Sequence, residues 1–286
     1  MHQHIQHKYM NSDTKQIIVS LTSFPEAIPY AIQSIKSVLN GIVLPDKIIL
    51  YLTASQFPDK KIPSDLEQLT KNPLFEIRFY NENIRSYTKL IPALNDFPND
   101  IIVTIDDDIL YNPKMLQGLL RLHKKYPEAI IGHRVRHYKP NTPYRSWKRY
   151  KEHRYILKSL KPKFINIQTG VGGVLYPPKS LDKKMLDSDT FMKLAPTVDD
   201  IWFWAAAVSN NTKIAPVPFG DFKLNDLRKP QEISLFNVNG KTDNDVNRTV
   251  LEKILEIYPE IKKRVEEDIK YENKRNIFGL IKGLFK

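Results

Sequence analysis

The amino-acid sequence predicts an α/β fold, with a mostly parallel central sheet flanked by helices and a C-terminal helical tail. Short runs rich in Ile and Val, bounded by turn residues, recur at 17–22 (IIVSLT), 47–53 (KIILYLT), 75–80 (FEIRFY) and 101–105 (IIVTI), and read as buried strands. Segments of helical periodicity fall between them, at 27–40, 63–71 and 87–97. Such alternation with short connections implies right-handed crossovers, a sheet covered on both faces, and ligands bound beyond the carboxyl ends of the strands. The loops after the strands therefore carry the chemistry. Three have unusual polar content: Thr22-Ser23-Phe24-Pro25, residues 81–89, and Asp106-Asp107-Asp108.

Further along, a helix is expected at 113–126, then a basic, aromatic, loop-rich insertion at 133–155 (HRVRHYKPNTPYRSWKRYKEHRY). An apolar glycine-bearing segment at 165–176 (INIQTGVGGVLY) precedes a helix near 178–187, and Val198-Asp199-Asp200 opens another helix through Val208. Residues 213–217 read as a final strand. From Asp245 the pattern is one long charged helix interrupted at Pro259. This gives one catalytic unit over 1–245, with halves at about 15–112 and 113–245, and a basic amphipathic tail at 246–286. There is no internal repeat.

A chain of 286 residues with 41% hydrophobic and 27% charged residues can bury a full core. The absence of cysteine excludes disulfides, zinc-thiolate sites and thiol nucleophiles. The first residues lack the apolar region of a signal peptide and no later run reaches membrane-spanning length, so a cytoplasmic location is expected. A formal charge of +12 admits nucleic acid, an anionic membrane surface or a phosphate-bearing substrate as partner, or solubility alone. No ribonucleoprotein motif or zinc spacing supports the first, and no nucleic acid is expected. No GxGxxG is present, which speaks against a dinucleotide cofactor.

Asp106, Asp107 and Asp108 collect three like charges at the end of a buried strand, where something positive must offset their repulsion. Carboxylates so placed reach one hard divalent cation, Mg²⁺ or Mn²⁺, which suits oxygen ligands combined with substrate phosphates. A solvated acidic turn capping the next helix is the alternative. A metal-dependent phosphoryl or nucleotidyl transferase would need the same ligands.

Five segments, IIVSLTSFPEAI, NIRSYTKLIPAL, VTIDDDILY, TGVGGVLYPP and TVDDIWFWAAA, together and in this order resemble bacterial GT-A glycosyltransferases, family 2-like, of polysaccharide, capsule or lipooligosaccharide biosynthesis. The resemblance spans about 17–245. It implies a Rossmann-like nucleotide-binding half, an Asp-x-Asp metal site, and transfer from a UDP-sugar to a saccharide or lipid-linked glycan acceptor. It further implies Asp108 and Asp106 at the metal, with Asp106 also on the nucleotide side and Asp107 nearby. A late histidine often joins such metals, and here none follows His153, so Asn237, Asn239 or Asp243 stand as substitutes beside water and phosphate.

Thr22, Ser23 and Phe24 then meet the base and ribose, although Thr22 or Ser23 as a plain helix cap explains them equally. Asn81, Arg85, Tyr87 and Lys89 follow the third strand, with Lys89 aimed at the acidic loop to neutralise diphosphate oxygens; a solvated surface lysine is the alternative. Asp199 and Asp200 resemble the general-base site of inverting enzymes, with Asp200 favoured as base, while helix capping accounts for one of them. Retention of configuration stays open.

Trp202 is a candidate sugar-stacking residue for the acceptor, and a core tryptophan is the other reading. Gly172 and Gly173, with Gly170, let backbone approach the donor sugar or simply form a tight turn. His133, Arg134, Arg136 and His137 face acceptor phosphate or lipid headgroups, or make a solvated basic strand. Ile277, Phe278, Leu280, Ile281, Leu284 and Phe285 share a helix face with basic flanks, which fits either peripheral binding to an anionic membrane or packing on the protein itself.

Overall fold

The computed structural model describes residues 15–149, 161–218, 225–227 and 245–284, with the backbone alone at 225–226 and 273–284. Strands β1 (Ile17–Ser23), β2 (Lys47–Thr53), β3 (Phe75–Tyr80) and β4 (Ile101–Thr104) are joined through α1 (Ile28–Leu39), α2 (Ser64–Leu69) and α3 (Ile91–Asp96). After β5 (Ile109–Leu110) come α4 (Met115–Lys125), β6 (Ile130–Gly132), β7 (Val135–His137), β8 (Lys148–Arg149), β9 (Asn166–Gln168) and β10 (Val174–Tyr176). Then follow α5 (Ser188–Leu194), α6 (Asp199–Ser209), β11 (Ile214–Pro216) and β12 (Asn225–Asp226). Two helices, α7 (Val246–Ile257) and α8 (Pro259–Leu284), complete the described chain.

The central sheet has the order β11-β6-β10-β4-β1-β2-β3 and is parallel except at β10, which runs antiparallel to β4 and β6. Its strands are apolar on both sides because both faces are covered. Ile18, Ile49, Ile102, Ile130, Val174 and Ile214 enter one core with α6, α7 and α8, and their neighbours Val19, Leu50, Val103, Ile131, Leu175 and Ala215 enter another with α1 and α4. In α1, Ile28, Ala31, Ile32, Ile35 and Val38 recur at helical spacing and are buried. Each such Ile or Val contributes roughly 1.5–3 kcal/mol by leaving water.

The chain leaves β1 toward β2 and β3, then returns to the opposite side of β1 as β4. The gap between β1 and β4 is thus the switch point, where crossovers depart in opposite directions and leave a crevice at the strand ends.

Local departures from the sequence reading have local causes. The expected helix at 87–97 is a 3₁₀ turn, Arg85–Lys89, followed by α3. Pro92 lacks an N–H and is tolerated only in a helix's first turn, so α3 begins at Ile91. The helix expected near 178–187 is instead a short 3₁₀ turn at Lys183–Met185, and α5 starts beyond it at Ser188. Asp182 caps the first and Asp187 the second, the latter accepting from Thr190 N at 2.9 Å. Strands β7 and β8 of the expected insertion form a small antiparallel sheet with β9.

The helices after Asp245 join the main core. Leu251, Ile254, Ile261 and Val265 are at most 1% exposed. Arg264 Nη1 donates to Val208 O at 2.6 Å and Ser209 O at 2.7 Å, carbonyls left open where α6 ends. Asp268 accepts from Phe164 N at 2.5 Å, and Glu272 binds His137 at 2.8 Å and pairs with Lys163. The side chains expected to face a membrane, Ile277 through Phe285, lie outside the described residues. Among the described residues no helix is long and apolar enough to cross a membrane.

Candidate active site

The site lies at the carboxyl ends of β1 and β4. Strand β4 ends at Thr104 and is followed two residues later by the three aspartates, which are half-buried. Ser23, at the end of β1, donates through Oγ to Asp107 Oδ2 at 2.6 Å and ties the two loops together. Asp106 N donates to the hydroxyl of buried Tyr111 at 2.8 Å, and Asp108 O accepts from Leu227 N at 2.8 Å.

Lys89 reaches this loop from the 3₁₀ turn. Ser20 of β1 donates to Lys89 O at 2.6 Å, which fixes the turn's backbone, and the ring of Tyr87 stacks on Phe191 at 4.1 Å while its hydroxyl donates to Ala195 O. The ammonium therefore sits 2.9 Å from Asp106 Oδ1 and 3.0 Å from Asp199 Oδ2, at 7% exposure. Burial alone favours the neutral amine, but Asp106, Asp199 and Asp200 outweigh it and hold Lys89 charged well above the ordinary lysine range. One lysine thus joins an acidic loop from the first half of the chain to the acidic helix start of the second.

Asp199 and Asp200 open α6, where the helix dipole favours negative charge. Neither side chain caps that helix. Asp200 Oδ1 instead accepts from Gly170 N at 3.0 Å. Burial, and then the adjacent Asp199 carboxylate, raise the Asp200 carboxyl to about 7. Such a group exchanges a proton near neutrality, as a general base must.

The glycines divide by role. A Cβ on Gly170 would lie 2.8 Å from both Asp106 Oδ1 and Lys89 Nζ, so a side chain there would displace this ion pair. Gly172 packs instead against the Arg134 backbone, and Gly173, at φ 86°, against Met115. A side chain at either position would meet these neighbours.

Two further expectations are corrected by burial. Trp202 is 0% exposed, donates from Nε1 to Met185 O and meets Tyr258 edge-on, leaving no face for a sugar. Tyr87, also 0% exposed, supports the Lys89 turn and touches no open crevice. Asn81 and Arg85 are exposed on the flank, Phe24 is half-buried, and Thr22 Oγ1 donates to Tyr51 O at 2.9 Å. His133 is buried against Met115 O at 2.8 Å, and His137 binds Glu272. Ser20 and Tyr111 were not singled out as site residues; Ser20 meets Lys89 across 69 residues and Tyr111 folds back five residues to Asp106 N, contacts that no local pattern announces.

Asp106, Asp107 and Asp108 supply only oxygen donors and are open to solvent on one side, a donor set that fits a hard divalent cation. Among the described residues no three His, Cys, Asp or Glu side chains converge on one point, so substrate oxygens or water would complete the shell. Asn237, Asn239 and Asp243 lie outside the described residues.

The fold is GT-A Rossmann-like. The mannosyltransferase PcManGT from Pyrobaculum calidifontis, solved with GDP-Man and Mn²⁺, superposes with a TM-score of 0.50 at 13% identity, covering 96% of this chain and 82% of that one. S. aureus TarS (residues 1–349) is similar at 12% identity and TM-score 0.49, covering 84% and 70%. Glucosyl-3-phosphoglycerate synthase from Mycobacterium tuberculosis, solved with Mn²⁺, UDP and glucosyl-3-phosphoglycerate, gives 15% and 0.46, covering 85% and 79%. No curated protein matches the chain in sequence. Residues 19–183 match the family model described as Glycosyl transferase family 2. The chain belongs to that family, and it is a glycosyltransferase.

Proposed function

We propose that the protein moves a sugar from a nucleoside diphosphate, UDP in the first instance, to a hydroxyl of a saccharide or lipid-linked glycan, with inversion at the anomeric carbon. The observation that carries this reading is the junction at Lys89, which brings Asp106 and Asp199 within 3.0 Å of one ammonium at the switch point. A donor site and an acceptor site must adjoin in this way for one bond to pass between them.

In this reading Thr22, Ser23, Phe24 and Asp107 line the nucleoside side, and Asp106 and Asp108 hold Mn²⁺ or Mg²⁺. When bound, the cation offsets charge developing on the leaving diphosphate. Gly170 N–H fixes Asp200 Oδ1 and leaves Oδ2 to take the proton of the acceptor hydroxyl. As that proton moves to Asp200, the acceptor oxygen bonds to the anomeric carbon, the bond to the diphosphate breaks, and the nucleoside diphosphate departs with the bonding pair. Lys89 holds Asp106 and Asp199 in place.

The test is product release from UDP-glucose, UDP-galactose, UDP-N-acetylglucosamine and a GDP-sugar with Mn²⁺. Nucleoside diphosphate should appear, and Asp108→Ala should lower its rate at least 100-fold, as loss of transition-state charge stabilisation typically does. Pyrophosphate as product, or no turnover of any nucleotide sugar, would sink the proposal.

A further inference from the structure

The basic segment after β6 has no part in the mechanism so far, yet it borders the acceptor side. Thr169 N donates to Arg134 O at 2.9 Å, which extends the β7–β9 pairing to the residue before Gly170. A Cβ on Gly172 would lie 3.2 Å from Arg134 Cβ. The turn that holds Asp200 through Gly170 thus rests on Arg134.

Arg136 lies two residues on, hence on the same face of the strand, and Arg149 is its direct partner in β8. Like charges placed opposite one another across strands are destabilising. No carboxylate among the described residues pairs with any of the three. Arg136 Nη1 reaches only the carbonyls of Tyr144 and Trp147, at 3.3 and 3.1 Å, and its guanidinium lies 4.4 Å from the Tyr144 ring. The Nε atoms of Arg134 and Arg136 are both buried without a hydrogen-bond partner. Burial lowers Arg136, and Arg134 and Arg149 push it the same way.

Tyr144 links this face to the catalytic carboxylate. Burial raises its phenol, Arg136 and Arg134 draw it down, and Asp200 pushes it up, so its ring stands within electrostatic range of all three. The half-buried guanidinium groups of Arg134 and Arg136 have no counter-charge among the described residues, a cost that a bound anion would offset. Arginine's planar fork suits phosphate oxygens in particular.

We propose that Arg134, backed by the charges of Arg136 and Arg149, binds a phosphate ester carried by the acceptor beside the hydroxyl that Asp200 deprotonates. This rests on the functional reading above, because it takes the Asp200 side of the crevice as the acceptor side. Phosphate on a soluble acceptor and phosphate in a lipid headgroup present the same chemistry to these arginines.

Binding of glycerol 1-phosphate by calorimetry, with UDP and Mn²⁺ present, and co-sedimentation with phosphatidylglycerol against phosphatidylcholine vesicles test it on the full chain. Arg134→Gln/Arg136→Gln should weaken glycerol phosphate binding at least 10-fold and leave UDP affinity within twofold. Arg134→Gln alone, which removes no carbonyl hydrogen bond, should give most of the loss and guards against misfolding of the double variant. Arginine-dependent binding to phosphatidylglycerol vesicles as well would assign a lipid source, and binding of glycerol phosphate alone a soluble one. Absence of saturable glycerol phosphate binding, equal binding of glucuronate, or binding unchanged in both variants would overturn the proposal. Loss of UDP binding in the unsubstituted protein would instead count against the nucleotide-sugar reading, since the comparison of arginine variants does not depend on it.

Discussion

Asp200 keeps its proton at pH values where an exposed aspartate has lost it, because burial and the Asp199 carboxylate both oppose its charge. Between the ordinary carboxylate range and about 7 the native state therefore binds more protons than the unfolded chain, and stability falls as pH rises through that window. Asp200→Asn keeps an acceptor for Gly170 N–H and removes the buried charge. It should raise the melting temperature at pH 8, by an amount corresponding to roughly 1–3 kcal/mol, and raise it by less at pH 5, where only the lower part of that window has been crossed. Acceptor-dependent turnover should fall at least 100-fold. Scanning calorimetry at the two pH values and a transfer assay check both parts; an unchanged rate would remove Asp200 as the base. The doublet Asp199-Asp200 before an apolar helix was legible because two acids exceed what one cap requires. Tyr87 and Trp202 were not, since an aromatic beside a motif looks the same in sequence whether it faces a ligand or a core, and only the helices packed on it decide.

At the scale of elements, the C-terminal helix α8 braces the site from behind. Burial works against the charge of Glu272, yet hydrogen bonds from His137 on β7 and from Lys163 near β9 outweigh it and hold the carboxyl at about 2. Its contribution is fully present above the usual glutamate range and is lost as pH falls through about 2. Glu272→Gln should cost about 1–3 kcal/mol at pH 7, seen as a lower denaturation midpoint, with the difference shrinking below pH 4. Equal midpoints at pH 7 would show that the Glu272 contacts add nothing to what holds α8. The helices after Asp245 and the break at Pro259 were readable from charge periodicity and proline chemistry. Their attachment was not, because Asp268 and Glu272 meet partners about 100 residues away and their spacing resembles that of any solvated helix face. The misplacement of α3 and α5 has a nearer cause, the capping demands of Pro92, Asp182 and Asp187, which set a helix start more sharply than periodicity does.

Across the whole molecule, the alternation of strands and helices defines where chemistry can occur before any residue is assigned. A sheet apolar on both faces needs cover on both, the covering helices reverse direction at β1 and β4, and the loops at that reversal carry Ser23, Lys89 and Asp106–Asp108. This much follows from the sequence pattern. The antiparallel strand β10 does not, yet it brings Gly170 against Asp106 and joins the two halves. Family membership and the GT-A architecture agree with that organisation.

Calorimetric titration of UDP into the full chain, with and without Mn²⁺, tests the central claim most directly. Binding should require the cation, vanish in Asp108→Ala, and persist in Asp200→Asn, which alters only the acceptor side. Metal-independent binding, or equal affinity in Asp108→Ala, would contradict the assignment of the aspartate loop to a cation shared with the donor diphosphate.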